Sequence, residues 1–485
     1  MRCVAWTMNG CNFSGVTLTS DNEARMATSP PLHGPVMDLD PAHGGARKRR
    51  VLMVAYHFPP LAGSSGIQRT LRFVQQLPAR GWQPLVLTVQ PLAYENTSQD
   101  LMPQVPADTV VRRAFALDTA RHLQLGGRYA AWMARPDRWC SWQLAAVHEG
   151  LRLIRQFKPE VIWSTYPIAT AHRIAASLQR QSGLPWVADF RDPMAQDGYP
   201  ADPRTHASFL AIEAQAAAQA RYCTFTSPSA AALYRQRYPA SASRMVLLEN
   251  GYDEESFVAA EAHAPLADPA RAAQTAPGPG AQMTLLHSGI VYPSERDPSA
   301  LFSALANLRQ QGLLTPADVR LCFRAPVHEA HLRELAQRYA VQDFMDVQPA
   351  LPYREALAEM LAADALLVLQ ASNCNAQIPA KLYEYLRAGP PILGLTDLQG
   401  DTAQVLRQAG LNTLAPLDDA PAIAQALLAF LQSWRAGRAA LPEASFVRQA
   451  SRQARTDELV AYLAQAASHT VSRQMPVANA AAFTR

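Results

Sequence analysis

From Arg50 onward the chain alternates between short unbroken apolar runs and longer stretches in which apolar residues return every three or four positions. Val51-Leu52-Met53-Val54-Ala55-Tyr56 is apolar at every position, as expected for a strand covered on both faces of a parallel sheet. Ile67, Leu71, Val74 and Leu77 then recur at helical spacing until Pro78 and Gly81, and Pro84 to Val89 predicts a second strand. Strand, helix and parallel strand in this order imply a right-handed crossover in an open sheet. The pattern continues with helices near 142–157, 168–181 and 205–219 and strands at Val161-Ile162-Trp163, Trp186-Val187-Ala188, Tyr222 to Thr226 and Met245 to Leu248. Glu249-Asn250-Gly251-Tyr252-Asp253 reads as a turn.

Residues 258–281 lose apolar periodicity and read as a linker, after which the alternation restarts. Strands are expected at Met283 to His287, Val319 to Phe323 and Ala365 to Leu369, with helices near 298–311, 328–339 and 353–362, and helical, Ala-rich stretches near 419–433 and 445–466. The fold class is therefore α/β, two Rossmann-like open parallel-sheet domains facing across a cleft at the carboxyl ends of their strands. The expected boundaries are an N-terminal extension at 1–46, disordered or non-native with Met26 as an alternative start, a first domain at 47–257, the linker, a second domain at 282–445, and a helix and tail at 446–485.

Composition narrows the function. Among 485 residues, 49% are hydrophobic and 17% charged, enough for two cores, and a net charge of +4 is too balanced for a nucleic-acid-coating protein. The six cysteines form no C-x-x-C pair, which suggests neither a disulfide framework nor zinc and fits a reducing compartment. No apolar run approaches the roughly 18 residues of a membrane span, and no secretory signal pattern opens the chain, so the expected location is cytoplasmic. The basic run Arg47-Lys48-Arg49-Arg50 leaves peripheral contact with an anionic membrane open, although four such charges are more often simply solvated.

Two segments carry candidate chemistry. The loop from His57 to Gly66 lies where an open sheet places an anion-binding turn, and Gly63 and Gly66 would admit backbone amides to a phosphate, or serve turn sterics alone. Its spacing is not G-x-G-x-x-G and the next strand ends without a ribose-gripping acid, which argues against a nicotinamide enzyme. In Gln377-Ile378-Pro379-Ala380-Lys381-Leu382-Tyr383-Glu384-Tyr385-Leu386-Arg387-Ala388-Gly389, Pro379 and Gly389 bracket a helix of about ten residues. Lys381 then sits in the first turn, where a cation opposes the helix dipole unless an anion is near. It is one of three lysines, with Lys48 and Lys158, in a chain that otherwise uses Arg. Glu384 shares its face and could accept from two vicinal hydroxyls, or form an ordinary pair with Lys381.

Tyr56-His57-Phe58-Pro59-Pro60 with Gly63, Gly66 and Arg69, then Asp189-Phe190-Arg191-Asp192-Pro193, Arg296-Asp297-Pro298, and Ile378 to Leu386 together resemble glycosyltransferase family 4, over about residues 50–440. The resemblance implies the GT-B fold, with the acceptor mainly on the first domain and the sugar nucleotide on the second. It further implies Glu384 as the ribose-binding glutamate and retaining transfer without a metal or other cofactor beyond the nucleotide-sugar donor. A second glutamate that the family often carries eight residues earlier is Ala376 here, with Gln377 or Asn375 as neutral substitutes.

The chemistry needs cations to take up charge on a departing diphosphate. Arg296 and Lys381 are the candidates, with Gly289 permitting close backbone approach. Asp189 and Asp192 are the candidate catalytic carboxylates that orient or deprotonate the acceptor, unless Asp192 caps a turn and Asp189 pairs with Arg191. His57 is a weaker candidate, His172 reads as a core histidine, and Arg324 faces nucleotide or solvent. The expected function is a hexosyltransferase-type glycosyltransferase moving a sugar from a nucleotide diphosphate to a saccharide or lipid-linked acceptor in envelope or exopolysaccharide synthesis, with no nucleic-acid partner. The rivals are a sugar-nucleotide epimerase of similar architecture and, given Ala376, a non-catalytic nucleotide-sugar binder.

Overall fold

The computed structural model describes residues 48–64, 66–262 and 277–473. The expected N-terminal extension, its alternative start at Met26, most of the linker and the end of the tail lie outside them. The first sheet comprises β1 (Arg49–Val54), β2 (Trp82–Val89), β3 (Val110–Ala114), β4 (Val161–Thr165), β5 (Trp186–Arg191), β6 (Tyr222–Phe225) and β7 (Met245–Leu247). The second comprises β8 (Met283–Ser288), β9 (Val319–Arg324), β10 (Met345–Gln348), β11 (Ala365–Gln370), β12 (Ile392–Thr396) and β13 (Leu414–Ala415). Every strand pair is parallel, in the orders 3-2-1-4-5-6-7 and 10-9-8-11-12-13.

Each order reverses once, between β1 and β4 and between β8 and β11. A crevice opens at the carboxyl ends of the strands at such a reversal. The four apolar clusters correspond to the two faces of each sheet: Leu52 and Ile162 on one side and Val51 and Trp163 on the other, then Leu285 and Leu367 on one side and Leu286 and Leu366 on the other. Helices cover both faces, which is why the central strands read as unbroken apolar runs.

Two causes account for these missed strands. β3 and β10 are sheet edges with half-buried, mixed-polarity patterns, and β12 follows the pair Pro390-Pro391. The domain boundary also differs from expectation. Phe257 and Ala260 of the helix Glu254–Glu261 are buried in the second domain's core beside Leu357, Met360 and Leu386, so the chain crosses between domains at 251–253. It crosses back at 450–452 and runs into the helix Arg452–Arg473, whose Leu459, Leu463 and Ala466 complete a core of the first domain with Val51, Met53 and Trp163. At the double crossing Tyr252 N–H donates to Ala450 O at 3.2 Å and Arg452 N–H to Tyr252 O at 2.8 Å. A Cβ on Gly251 would meet Ala450 O at 2.6 Å, so only glycine admits the two strands of chain so close.

Candidate functional site

The helix Ala380–Ala388 begins after Pro379 and ends at Gly389, whose φ of 91° lets its N–H close back on Tyr385 O. Leu382, Tyr383, Tyr385 and Leu386 bury one face, leaving Lys381 and Glu384 on the other. Tyr385 fixes the helix to the reversal point of the second sheet, its hydroxyl accepting from Ser288 N–H at 2.7 Å. Lys381 therefore stands at the tip of β8, with its Nζ 3.5 Å from Ser288 Oγ. Gly289 has a φ of 138°, and a Cβ there would stand 3.0 Å from Lys381 Cε and 3.2 Å from Nζ. The close approach seen at Gly289 is that of the Lys381 side chain.

Lys381 is open to the cleft, yet surrounding protein holds its ammonium below the ordinary lysine value, Arg296 adding to the effect and Glu384 opposing it. Arg296 donates to Ile290 O at 2.7 Å in the loop after β8. Glu384 accepts from the hydroxyl of Tyr353 at 2.9 Å through Oε1.

Between the domains lies a cavity of about 300 Å³, within the size range of small-molecule sites. Lys381, Glu384 and Tyr353 line it from the second domain, and Gln68, Arg69, Arg72 and Arg191 from the first. Glu249, Asn250, Gly251, Arg452 and Arg455 line it from the double crossing. Six lining side chains are basic and two acidic. Three of the basic ones are neutralised: Arg69 by Asp189, Arg72 by Asp253 and Arg455 by Glu249, at 2.8, 3.0 and 2.7 Å. Among the described residues Lys381, Arg191 and Arg452 have no carboxylate within ion-pair distance, and the buried Arg191 Nε and Arg452 Nη1 have no hydrogen-bond partner. Burial pulls both guanidinium groups below their ordinary value. This is an excess of cationic donors facing one cavity, the arrangement that stabilises an anion.

The catalytic assignment of Asp189 needs correction. Its carboxylate is fully buried and accepts from Arg69 Nε and Nη2 at 3.0 and 2.8 Å, Thr165 Oγ1 at 2.8 Å and Thr224 Oγ1 at 2.7 Å. Burial alone would raise its pKa, but Arg69 and the two hydroxyls outweigh that and hold it below the usual carboxylate range. A carboxylate with four donors has no lone pair directed at a substrate, so Asp189 is a keystone rather than a base. Its partner is Arg69, which also donates to Leu248 O and Glu249 O at 2.8 and 3.0 Å and so fixes the crossing loop. The alternative pairing of Asp189 with Arg191 is not formed either. Arg191 adopts a φ of 62°, an uncommon conformation for a non-glycine residue, which turns the chain after β5. Asp192 accepts from Thr226 Oγ1 at 3.3 Å, and burial raises its pKa despite Arg191 and Thr226. It does not line the cavity.

In the loop before the helix Gly66–Gln76, Gly66 packs where a Cβ would overlap the His57 ring and stand 2.8 Å from Arg191 Nη1. Gly63 has a φ of 77° with open space around it, so its glycine serves the turn. His57 is held near Ser64 Oγ at 3.3 Å, and burial, assisted by Arg191, pushes its pKa down to about 3, which keeps the ring neutral. His172 is a core histidine, bonded to Ser164 Oγ at 2.8 Å. Arg324 is committed to Glu359 and to Pro349 O. Of the proposed substitutes for the acid at Ala376, Asn375 is turned away to donate to Asp397 at 2.5 Å, while Ala376 O accepts from Ser227 Oγ across the domains at 2.7 Å. In the basic run, Arg49 pairs with Glu160 at 2.9 Å and Arg50 donates to Phe157 O at 2.7 Å, at the amino end of β1 and on the sheet edge opposite the cleft. Arg47 lies outside the described residues.

Tyr353 and Arg452 escaped sequence reasoning. Arg452 enters the site only because the chain returns across the cleft, and no local pattern signals that. Among the described residues no helix is long and apolar enough to cross a membrane, and no His, Cys, Asp and Glu group has the makings of a metal site.

Residues 65–251 match the family model of the glycosyl transferase 4-like domain. No curated protein matches the chain over its sequence. Among solved structures, the chain is similar to sucrose-phosphate synthase from Thermosynechococcus elongatus, with a TM-score of 0.54 at 15% identity over 88% of this chain and 98% of that one. It is similar to α,α-trehalose 6-phosphate synthase from Burkholderia multivorans, with 0.57 at 14% identity over 91% and 100%. It is also similar to Anabaena HepE in complex with UDP and glucose, with 0.55 at 12% identity over 86% and 100%. Likeness at these identities concerns the backbone, which is the GT-B fold.

Proposed function

We propose that the chain is a glycosyltransferase that moves a sugar from a nucleoside diphosphate to a saccharide or lipid-linked acceptor, a reading supported by the match of residues 65–251 to the glycosyl transferase 4-like domain and by the GT-B fold. The observation that carries this reading is the set of cations facing the cavity without an ion-pair partner among the described residues, Lys381, Arg191 and Arg452, with a hydroxyl-accepting Glu384 beside the lysine. Donor binding to the second domain puts the ribose hydroxyls on Glu384 Oε2, the oxygen not engaged by Tyr353, and the diphosphate against Lys381, with Arg296 reinforcing the positive potential.

In the transfer step the bond between the anomeric carbon and the diphosphate oxygen breaks, and the electron pair leaves with the diphosphate. The acceptor hydroxyl oxygen forms the new bond to that carbon, with retention of configuration. Its proton passes to the departing phosphate or to Asp192, whose raised pKa suits it to receive one. Lys381 and the arginines take up the charge that develops on the leaving group, so no metal is assigned a part. A uridine diphosphate sugar is the first donor to test, because HepE is solved with UDP. The acceptor enters from the first domain, past Gly66 and Arg191. We assign the activity to the cytoplasm and to envelope or exopolysaccharide synthesis, following the family resemblance.

The test is a panel of nucleotide sugars scored by thermal stabilisation, followed by product analysis with the donor that binds. Released nucleoside diphosphate together with a glycosylated acceptor supports the reading. Interconversion of two nucleotide sugars without an acceptor would replace it with an epimerase, and binding without any product would replace it with a non-catalytic binder.

A further inference from the structure

Large apolar side chains exposed to solvent gather on the first domain between residues 92 and 144: Leu92, Phe115, Leu125, Tyr129, Trp132 and Leu144. Leu125, Trp132 and Leu144 are 87%, 71% and 84% exposed. Scattered single residues of this kind need no explanation, but an accumulation on one excursion of the chain does. The excursion runs from the end of β3 to the helix Trp142–Phe157, and residues 124–132 are exposed throughout.

It is a built structure. The Thr119 hydroxyl lies 2.9 and 3.0 Å from Met133 O and Arg138 O, Arg138 pairs with the buried Asp118, and Ser141 Oγ exchanges hydrogen bonds with Leu117 at 2.9 and 3.0 Å. At the tip, Leu125 and Arg128 exchange backbone hydrogen bonds of 2.8 and 3.1 Å around Gly126 and Gly127, whose φ of 56° and 77° suit a tight hairpin turn. The fold thus holds Leu125 out at a turn apex that no packing requires.

The charge around this face is one-sided. Arg112, Arg121 and Arg128 are exposed, Arg112 pairing with Glu149 at 3.8 Å and Arg121 donating to Tyr94 O. The nearby carboxylates are engaged, Asp118 and Glu95 with Arg138, Asp137 with Thr170 and the Trp139 amide, and Glu149 with Arg152 and Arg112. The face also lies on the cleft side of the sheet. β3 runs parallel to its neighbours, so the excursion leaves from their carboxyl ends, and Trp139 joins it to the loop after β1 by contacting Tyr56 at 4.7 Å and donating to Ala93 O at 3.1 Å.

We infer that this face, led by Leu125 and Trp132 with Arg121 and Arg128 around them, docks the protein on an anionic bilayer. Aromatic and aliphatic side chains enter the headgroup boundary while guanidinium groups stay with lipid phosphates. The attachment is peripheral and holds the acceptor side of the cleft toward the surface from which a lipid-linked acceptor would come. Only that purpose rests on the proposed acceptor; the docking itself is tested without turnover.

The full chain is sedimented with vesicles of phosphatidylcholine alone and of phosphatidylcholine with phosphatidylglycerol. It is compared with Leu125→Glu/Trp132→Glu and with Arg121→Glu/Arg128→Glu, all four sites being exposed and outside the cleft. The expected results are binding that requires the anionic lipid and weakens with salt, about tenfold loss in each double variant, and unchanged melting and nucleotide stabilisation. The inference is overturned if the parent ignores anionic vesicles, if it binds neutral ones equally well, or if the variants bind like the parent. It is also overturned if the face proves to be a protein interface, seen as a concentration-dependent dimer of the parent that Leu125→Glu/Trp132→Glu abolishes. Loss of nucleotide stabilisation in the parent would instead count against the donor site and leave vesicle binding to stand or fall alone.

Discussion

Replacing Asp189 distinguishes a keystone from a catalyst. Asp189→Ala removes the acceptor of four hydrogen bonds and strands Arg69, which is 8% exposed and keeps only backbone carbonyls and Asn250 for company. Removing one partner of such a buried pair typically costs about 3–5 kcal/mol, because the remaining charge stays out of water. At about 2–4 °C per kcal/mol for a domain of this size, the first domain should melt about 6–20 °C lower. Calorimetry with and without nucleotide measures this directly. Asp189→Asn keeps the shape and some of the hydrogen bonds, so its loss should be smaller. The sign of the pH dependence follows from the depressed folded pKa. The stabilisation is complete above the unfolded carboxylate value of about 4 and drains away as the pH falls through the lower folded value. The alanine variant should lack this part of the acid transition. A variant melting within about 2 °C of the parent, yet inactive at all temperatures, would refute the keystone assignment and restore Asp189 as a catalytic group.

Lys381→Ala should weaken nucleotide diphosphate binding about 10- to 100-fold, the worth of one charge-assisted contact, with the melting temperature of the free protein unchanged; equal affinity by calorimetry would remove Lys381 from the donor site. Because its ammonium titrates below the ordinary lysine value in the free protein and an anion favours the charged form, affinity should fall on raising the pH before an ordinary lysine would deprotonate, with proton uptake on binding measurable in buffers of different ionisation heat. Gly289→Ala puts a methyl 3.0 Å from Lys381 Cε at a φ of 138° that side chains rarely adopt, so donor affinity should drop with Lys381 itself intact; unchanged affinity would show that the lysine can move aside. Gly66→Ala should lower acceptor-dependent turnover and also weaken nucleotide stabilisation, since the added carbon displaces His57 and with it Arg191, one of the cations that face the cavity; full nucleotide stabilisation would remove Arg191 from the donor site.

What the sequence determined by itself was whatever repeats locally. Central strands such as β1 announce themselves as apolar runs, here Val51 to Val54, because both sheet faces are covered, and the helix of Lys381 and Glu384 is bracketed by Pro379 and Gly389 whatever surrounds it. Edge strands β3 and β10, wetted on one side, carry no comparable signal. Tertiary structure alone decided what depends on residues far apart in the chain. Asp189 lies in a motif that suggests chemistry, but whether its carboxylate meets substrate or protein is settled by Arg69, 120 residues earlier, and Thr224, 35 later. Arg452 enters the cavity only because the last helix returns to the first domain to complete its core, so an apolar requirement at Leu459 and Leu463 places a charge at the cleft. Local pattern reports a residue's own burial and backbone; the partner that cancels a charge or leaves it uncompensated is chosen by the way the domains pack.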